Sequence, residues 1–193
     1  TLAAVLSIAA APAFGADPLP HRFAASVAPA EKFEVGGMLV ERHGERGRPM
    51  IFVPGLAGGA WAWQGMVQQF KGEHVVYVVT PAGFNGRSAI EGEPVAATRQ
   101  ALRDLIVTRS LKAPVLVGHS LGATLSISLA QEDPDLVGGV VAIDGLPVFP
   151  GTERMPKEQR PMMAAGIKAQ MSGVTKPMFD AQQKSYMRTI GSI

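Results

Sequence analysis

A serine flanked by glycines, Gly118-His119-Ser120-Leu121-Gly122, stands between a strand-like run and a helix-like run, and this placement constrains the chain more than any other feature. Residues 113–117 (APVLV) form a short apolar stretch of the kind that makes a buried strand, whereas residues 121–131 (LGATLSISLAQ) carry apolar side chains at helical spacing. Ser120 must therefore occupy a sharp strand-to-helix turn. Such a turn strains the backbone, raises the hydroxyl above the sheet edge and leaves the next backbone N–H free to face a developing negative charge. Side chains at positions 118 and 122 would collide with the turn, so glycine stands at both. A glycine-rich turn with an idle serine is the plainer alternative, and the flanking strand and helix, with a second loop upstream, weigh against it.

That second loop follows residues 49–53 (PMIFV), a short apolar strand running into Pro54-Gly55-Leu56-Ala57-Gly58-Gly59-Ala60-Trp61. Glycines at this density let backbone N–H groups turn toward an anion. A phosphate-binding loop would do the same, but the Walker pattern needs a Gly-Lys-Ser/Thr ending that is missing here. Residues 74–80 (HVVYVVT) then make a near-continuous β-branched strand leading into Pro81-Ala82-Gly83-Phe84-Asn85-Gly86-Arg87-Ser88, whose glycines and proline turn the chain off the sheet.

In this order and spacing the three motifs, covering roughly residues 33–144, resemble the α/β-hydrolase superfamily. The loop at 54–59 is similar to the family's His-Gly-x loop, with Pro54 in place of the usual histidine and Trp61 opening the next helix. The loop at 81–88 is similar to its Asp-x-x-Gly-x-Gly-x-Ser loop, with Thr80 replacing the common aspartate and Asn85 standing where histidine is frequent. The resemblance implies an α/β-hydrolase fold, a mostly parallel sheet with helices on both faces. It also implies that the Leu56 N–H joins the Leu121 N–H as an oxyanion hole for Ser120.

The remaining elements agree with that architecture. Residues 32–35 and 38–42, broken by Gly36-Gly37, read as a hairpin; residues 95–111 form an amphipathic helix with Leu102, Leu105 and Ile106 inward and Arg99, Arg103 and Asp104 outward; residues 137–143 supply a strand ending at Asp144-Gly145. From Pro147 the character changes, with Met155, Met162, Met163, Met171, Met178 and Met187 among scattered prolines. Residues 147–193 resemble the start of a helical lid, and residues 17–146 a partial core. Methionines there suit either a varied apolar acyl or aromatic ligand or ordinary helix packing.

With 193 residues, 47% hydrophobic and 18% charged, the chain can bury one core. A net charge of +2 with scattered basic residues offers no stripe for a nucleic-acid backbone. The absence of cysteine excludes a disulfide framework and a cysteine nucleophile, and no cluster at ligand spacing suggests a metal or cofactor. Residues 1–15 (TLAAVLSIAAAPAFG) are apolar and rich in small residues, and the sequence turns polar at Asp17. Residues 1–16 read as a signal-peptide remnant, too short for a membrane span of ~20 residues, and imply a periplasmic or secreted protein.

A serine hydroxyl needs a general base, and the fold orders its triad as nucleophile, acid, histidine. The four histidines, His21, His43, His74 and His119, all precede Ser120. The expectation is a sheet cut short before its last strands and before the histidine. The resemblance turns His119 away from the hydroxyl, to line or pack beside the sheet. Asp144 is the candidate acid, with a turn-forming aspartate before Gly145 as its alternative role, and Asp133 and Asp135 fall in a helix-terminating turn. The function expected is an exported serine hydrolase acting on a small-molecule ester or related acyl substrate through an acyl-enzyme on Ser120. A non-catalytic binding protein on the same fold is the alternative.

Overall fold

The computed structural model describes residues 27–145, 155–175, 177, 178, 181, 184 and 185. The chain divides into two units between Pro147 and Val148. The first holds a six-stranded sheet in the order β1-β2-β4-β3-β5-β6, built from β1 (Glu31–Val35), β2 (Met38–His43), β3 (Met50–Val53), β4 (Val76–Thr80), β5 (Val115–His119) and β6 (Gly139–Ile143). Its helices are α1 (Gln64–Phe70), entered through a 3-10 turn at Ala60–Trp63, α2 (Pro94–Thr108) and α3 (Leu121–Glu132).

β1 and β2 form the expected hairpin, closed by Gly36 (φ 54°) and Gly37 (φ 78°); two successive positive φ values match the twist of the paired strands. β2 then pairs antiparallel with β4, while β3, β4, β5 and β6 run parallel. Parallel strands joined through helices are covered on both faces, so their sequences lose the polar alternation of a half-exposed strand. All five residues of β4 are accordingly buried.

The two faces carry separate cores. On one, Val40, Ile51, Tyr77, Val79 and Leu116 pack with Leu102, Leu105 and Ile106 of α2 and with Leu125 and Leu129 of α3. On the other, Phe52, Val76, Val78 and Val117 pack against Trp63 and Val67. Phe52 is fully buried and stacks on Trp63 at 5.0 Å between ring centroids. The inward set expected for α2 is thus confirmed, with Thr98 and Ala101 added to it. Arg99 and Arg103, on the other side of that helix, form ion pairs with Glu132, and Arg103 with Asp133 at the end of α3. Among the described residues β6 has a neighbour on one side alone, and its Val141 and Ile143 are 48% and 40% exposed.

The strand order contains a reversal. From β3 the chain steps to β4 through α1, then returns across β3 to β5 through α2, so the connections after β3 and β5 leave toward opposite faces. Between the carboxyl ends of those strands the loops part, and in open α/β sheets this crevice is where ligands bind.

In the second unit a 3-10 turn (Lys157–Gln159) leads into α4 (Arg160–Ser172), and Arg160 Nε donates to Met155 O at 3.4 Å. Met162 and Met178 are 75% and 58% exposed. Residues 1–26, which include the expected signal remnant and His21, lie outside the described residues, as does Met187. Among the described residues no helix is long and apolar enough to cross a membrane.

Candidate active site

Ser120 follows the last residue of β5 and precedes the first residue of α3, with φ 50° and ψ −118°. A non-glycine residue held there costs of order 1–3 kcal/mol and persists only where its surroundings over-determine it. They do so here through close backbone approaches. A Cβ on Gly118 would fall 2.5 Å from the Ala123 nitrogen, and one on Gly122 would fall 2.6 Å from the Pro54 carbonyl oxygen and nearer still to that of Val53. The Ser120 amide donates to Ile143 O at 2.9 Å, and its carbonyl accepts from the Ala123 and Thr124 amides at 3.0 and 3.1 Å. The strained turn read from the sequence is therefore present, clamped between β3, β6 and the first turn of α3.

The absence of a side chain at Gly122 lets α3 start against the end of β3, which brings the following loop to the serine. Gly55 packs where a Cβ would lie 3.3 Å from Ser120 Cβ and 2.8 Å from His119 Nδ1. One residue on, Leu56 is 64% exposed and Ala57 has φ 60°, the turn being closed by the Gly58 amide on Gly55 O at 3.0 Å. Among the described residues neither the Leu56 nor the Leu121 amide has a hydrogen-bond acceptor. The Leu121 amide is one of the first-turn donors that a helix cannot satisfy itself.

Thr80 has a role that the sequence reading did not assign. Only 2% exposed at the end of β4, it accepts a hydrogen bond on Oγ1 from the Ala60 amide at 3.2 Å and so fixes where the loop enters its 3-10 turn. Only the partner in space, twenty residues upstream, reveals this.

The histidines separate clearly. His43 pairs in register with Val76, and His74 precedes that residue, so both lie at the amino end of β4 while Ser120 lies beyond the carboxyl end of neighbouring strands. Five residues of strand span ~16 Å. Neither reaches the serine. His43 is 1% exposed, and burial lowers its pKa against the opposing influence of Glu41. His74 Nδ1 sits 3.1 Å from Arg48 O, with the ring edge-on to Phe70. His119, by contrast, is exposed beside Ser120, its ring against Gly55.

Asp144 follows Ile143, the register partner of His119, which puts it one strand over from the serine. It is exposed with φ 52°, and a Cβ on Gly145 would clash with Ala123 Cβ and come within 3.0 Å of Ser120 O. The chain bends at Asp144, and Gly145 packs closely against the start of α3. Among the described residues the Asp144 carboxylate has no partner.

The alpha/beta hydrolase family model matches residues 50–189, which is most of the chain. The chain belongs to the alpha/beta hydrolase family. Over 120 residues it is 28% identical to a 2-succinyl-6-hydroxy-2,4-cyclohexadiene-1-carboxylate synthase of Escherichia coli O1:K1 / APEC, covering 62% of this chain and 47% of that protein. Over 100 residues it is 33% identical to the "Probable esterase PIR7A" of Oryza sativa subsp. indica, covering 49% of this chain and 38% of the relative. The chain thus spans less than half the length of these curated relatives. Among solved structures, an alpha/beta hydrolase fold protein from Burkholderia ambifaria aligns with a TM-score of 0.63 at 15% identity, over 84% of this chain and 59% of the other. That likeness concerns the fold.

Proposed function

We propose that the protein is a serine hydrolase that cleaves a carboxylic ester or related acyl bond through an acyl-enzyme on Ser120. One observation carries the reading: a serine in a strained backbone conformation is followed in the chain by the Leu121 amide and packs against Gly55, the residue before Leu56, and neither the Leu56 nor the Leu121 amide has an acceptor among the described residues. Attack by the hydroxyl on a carbonyl carbon would place the developing oxyanion toward these donors. The alcohol leaves with a proton delivered by the general base, and water then releases the acid. His43 and His74 lie at the far end of the sheet and are set aside, so the reading takes the base from outside the described residues, with Asp144 as a candidate to orient it. The apolar N-terminal residues support export to the periplasm or beyond.

A receptor or scaffold on the same fold is the second reading, favoured by the lack of any histidine after Ser120 in these 193 residues. Labelling of the complete protein with a fluorophosphonate separates the two. Covalent labelling and ester hydrolysis that are both lost in Ser120→Ala support the hydrolase; an unlabelled complete protein supports the receptor.

A further inference from the structure

We propose that His119 and Asn85 are positioning residues that brace the two ends of the loop carrying the Leu56 amide. The inference rests on the hydrolase reading above and concerns how its oxyanion hole is held.

One hydrogen bond closes the loop from within, the Gly58 amide on Gly55 O at 3.0 Å, and Thr80 Oγ1 takes the Ala60 amide just past its end at 3.2 Å. Leu56 at its tip is 64% exposed, so the side chain that follows Gly55 supplies no anchor in the core. The shape is instead set at its glycines. At one end Gly55 is buried against the imidazole, where a Cβ would meet His119 Nδ1 at 2.8 Å and Cε1 at 3.4 Å. At the other end Gly59 is buried against the Asn85 side chain, where a Cβ would meet Cβ and Nδ2 at 3.0 Å and Cγ at 3.1 Å. Two flat polar groups, each exposed on its outer side, therefore lie against the two end glycines of a five-residue span.

Each brace is itself fixed from behind. His119 ends β5 and stays in register with Ile143. Asn85 adopts φ 50°, a left-handed conformation that asparagine tolerates better than most residues, inside a loop closed by the Gly83 amide on Ser88 O and the Arg87 amide on Phe84 O, both at 2.9 Å. Arg87 ties that loop to the hairpin through Glu34 and through Gly37 O at 3.1 Å. Among the described residues neither the imidazole nor the Asn85 amide makes a hydrogen bond, so what they give the loop is contact, not pairing. A donor need move by only about 1 Å to cost ~10²-fold in rate, so a loosened loop is felt in the chemical step before it is felt in substrate binding.

The test uses the complete protein with p-nitrophenyl acetate, kcat being expressed per site titrated by fluorophosphonate so that misfolded protein does not count. His119→Ala and Asn85→Gly, the latter keeping the positive φ accessible, should each lower kcat by between ~10-fold and ~10²-fold with KM little changed. His119→Phe, which restores a flat ring without nitrogen, should recover most of the loss. The double variant should lose less than the product of the single losses, because both act on one loop. Unchanged kcat in the single variants, or a raised KM at constant kcat as a substrate contact would give, overturns the bracing role while Ser120-dependent labelling still stands. Labelling that survives in Ser120→Ala overturns the nucleophile assignment and the brace with it.

Discussion

Replacing Gly122 by alanine adds one methyl group at the point where α3 meets β3, and its cost follows from the surroundings. The new Cβ would lie 2.6 Å from Pro54 O and nearer to Val53 O, against a floor of 3.0 Å that real Cβ contacts respect. Both obstacles are backbone atoms. β3 is a central strand with Ile51, Phe52 and Val53 fully buried, so it cannot yield; the first turn of α3 must withdraw by between several tenths of an ångström and about 1 Å. That movement carries Ser120 and the Leu121 amide away from the loop bearing the Leu56 amide. At ~10²-fold for about 1 Å, and 1.36 kcal/mol per tenfold, the expected loss is about 2.7 kcal/mol of transition-state stabilisation.

The assay is kcat/KM of the complete protein for p-nitrophenyl acetate, with far-UV circular dichroism to establish that the variant is folded. Gly65→Ala serves as the control, because α1 leaves open space around that position and alanine is the better helix former by up to ~1 kcal/mol. Gly122→Ala should lose activity, and Gly65→Ala should keep it with equal or higher stability. A folded Gly122→Ala whose kcat/KM stays within about threefold of wild type would refute the reasoning, since the clash would then be absorbed without moving the site.

Phe52→Ala should lower the unfolding free energy by ~3–5 kcal/mol in urea titration, because the ring is fully buried and stacked on Trp63. Burial depresses the pKa of His43 below 6.5, opposed by Glu41 and assisted by Lys71 and Lys32, so the unfolded chain takes up a proton that the fold resists. Stability should fall as pH drops below 6.5 and level off below the folded-state pKa, and His43→Gln should flatten that part of the profile measured by urea unfolding at several pH values. Glu31, held below its usual range by hydrogen bonds from Arg109 and Arg42, adds a loss at lower pH that Glu31→Gln should remove. A protein limited to these 193 residues should fail to hydrolyse p-nitrophenyl acetate; activity that depends on Ser120 would make His21 or His119 the base, since His43 and His74 lie at the amino end of β4.

What was legible in the sequence is what the backbone dictates locally. Gly118 and Gly122, an apolar run before and helical spacing after, were enough to set Ser120 in a strained turn, because all of these constraints lie within residues 113–131 around it. The hairpin glycines and the inward set of α2 were legible for the same reason. Partners across the sheet were not. That Thr80 would receive the Ala60 amide, that His43 would be buried, or that His119 would lie against Gly55 depends on neighbours brought together by strand pairing, on which composition and periodicity are silent.

Strand order shows how the two kinds of information combine at the site. Nothing local to residues 54–59 or to the elbow says that β3 lies between β4 and β5, yet that order alone puts the two loops side by side. Were β4 to separate β3 from β5, with strands ~4.8 Å apart, the Leu56 amide would stand roughly 10 Å from the strand carrying the serine and could not share with Leu121 the oxyanion proposed above. The glycines then decide how close the approach becomes, since Gly122 admits the end of β3 and Gly55 admits the serine. Topology therefore fixes which loops meet, and local sequence fixes what they present; on the proposed reading, a serine turn in the same register without the reversal beside it would keep the proposed nucleophile and only one of the two proposed donors.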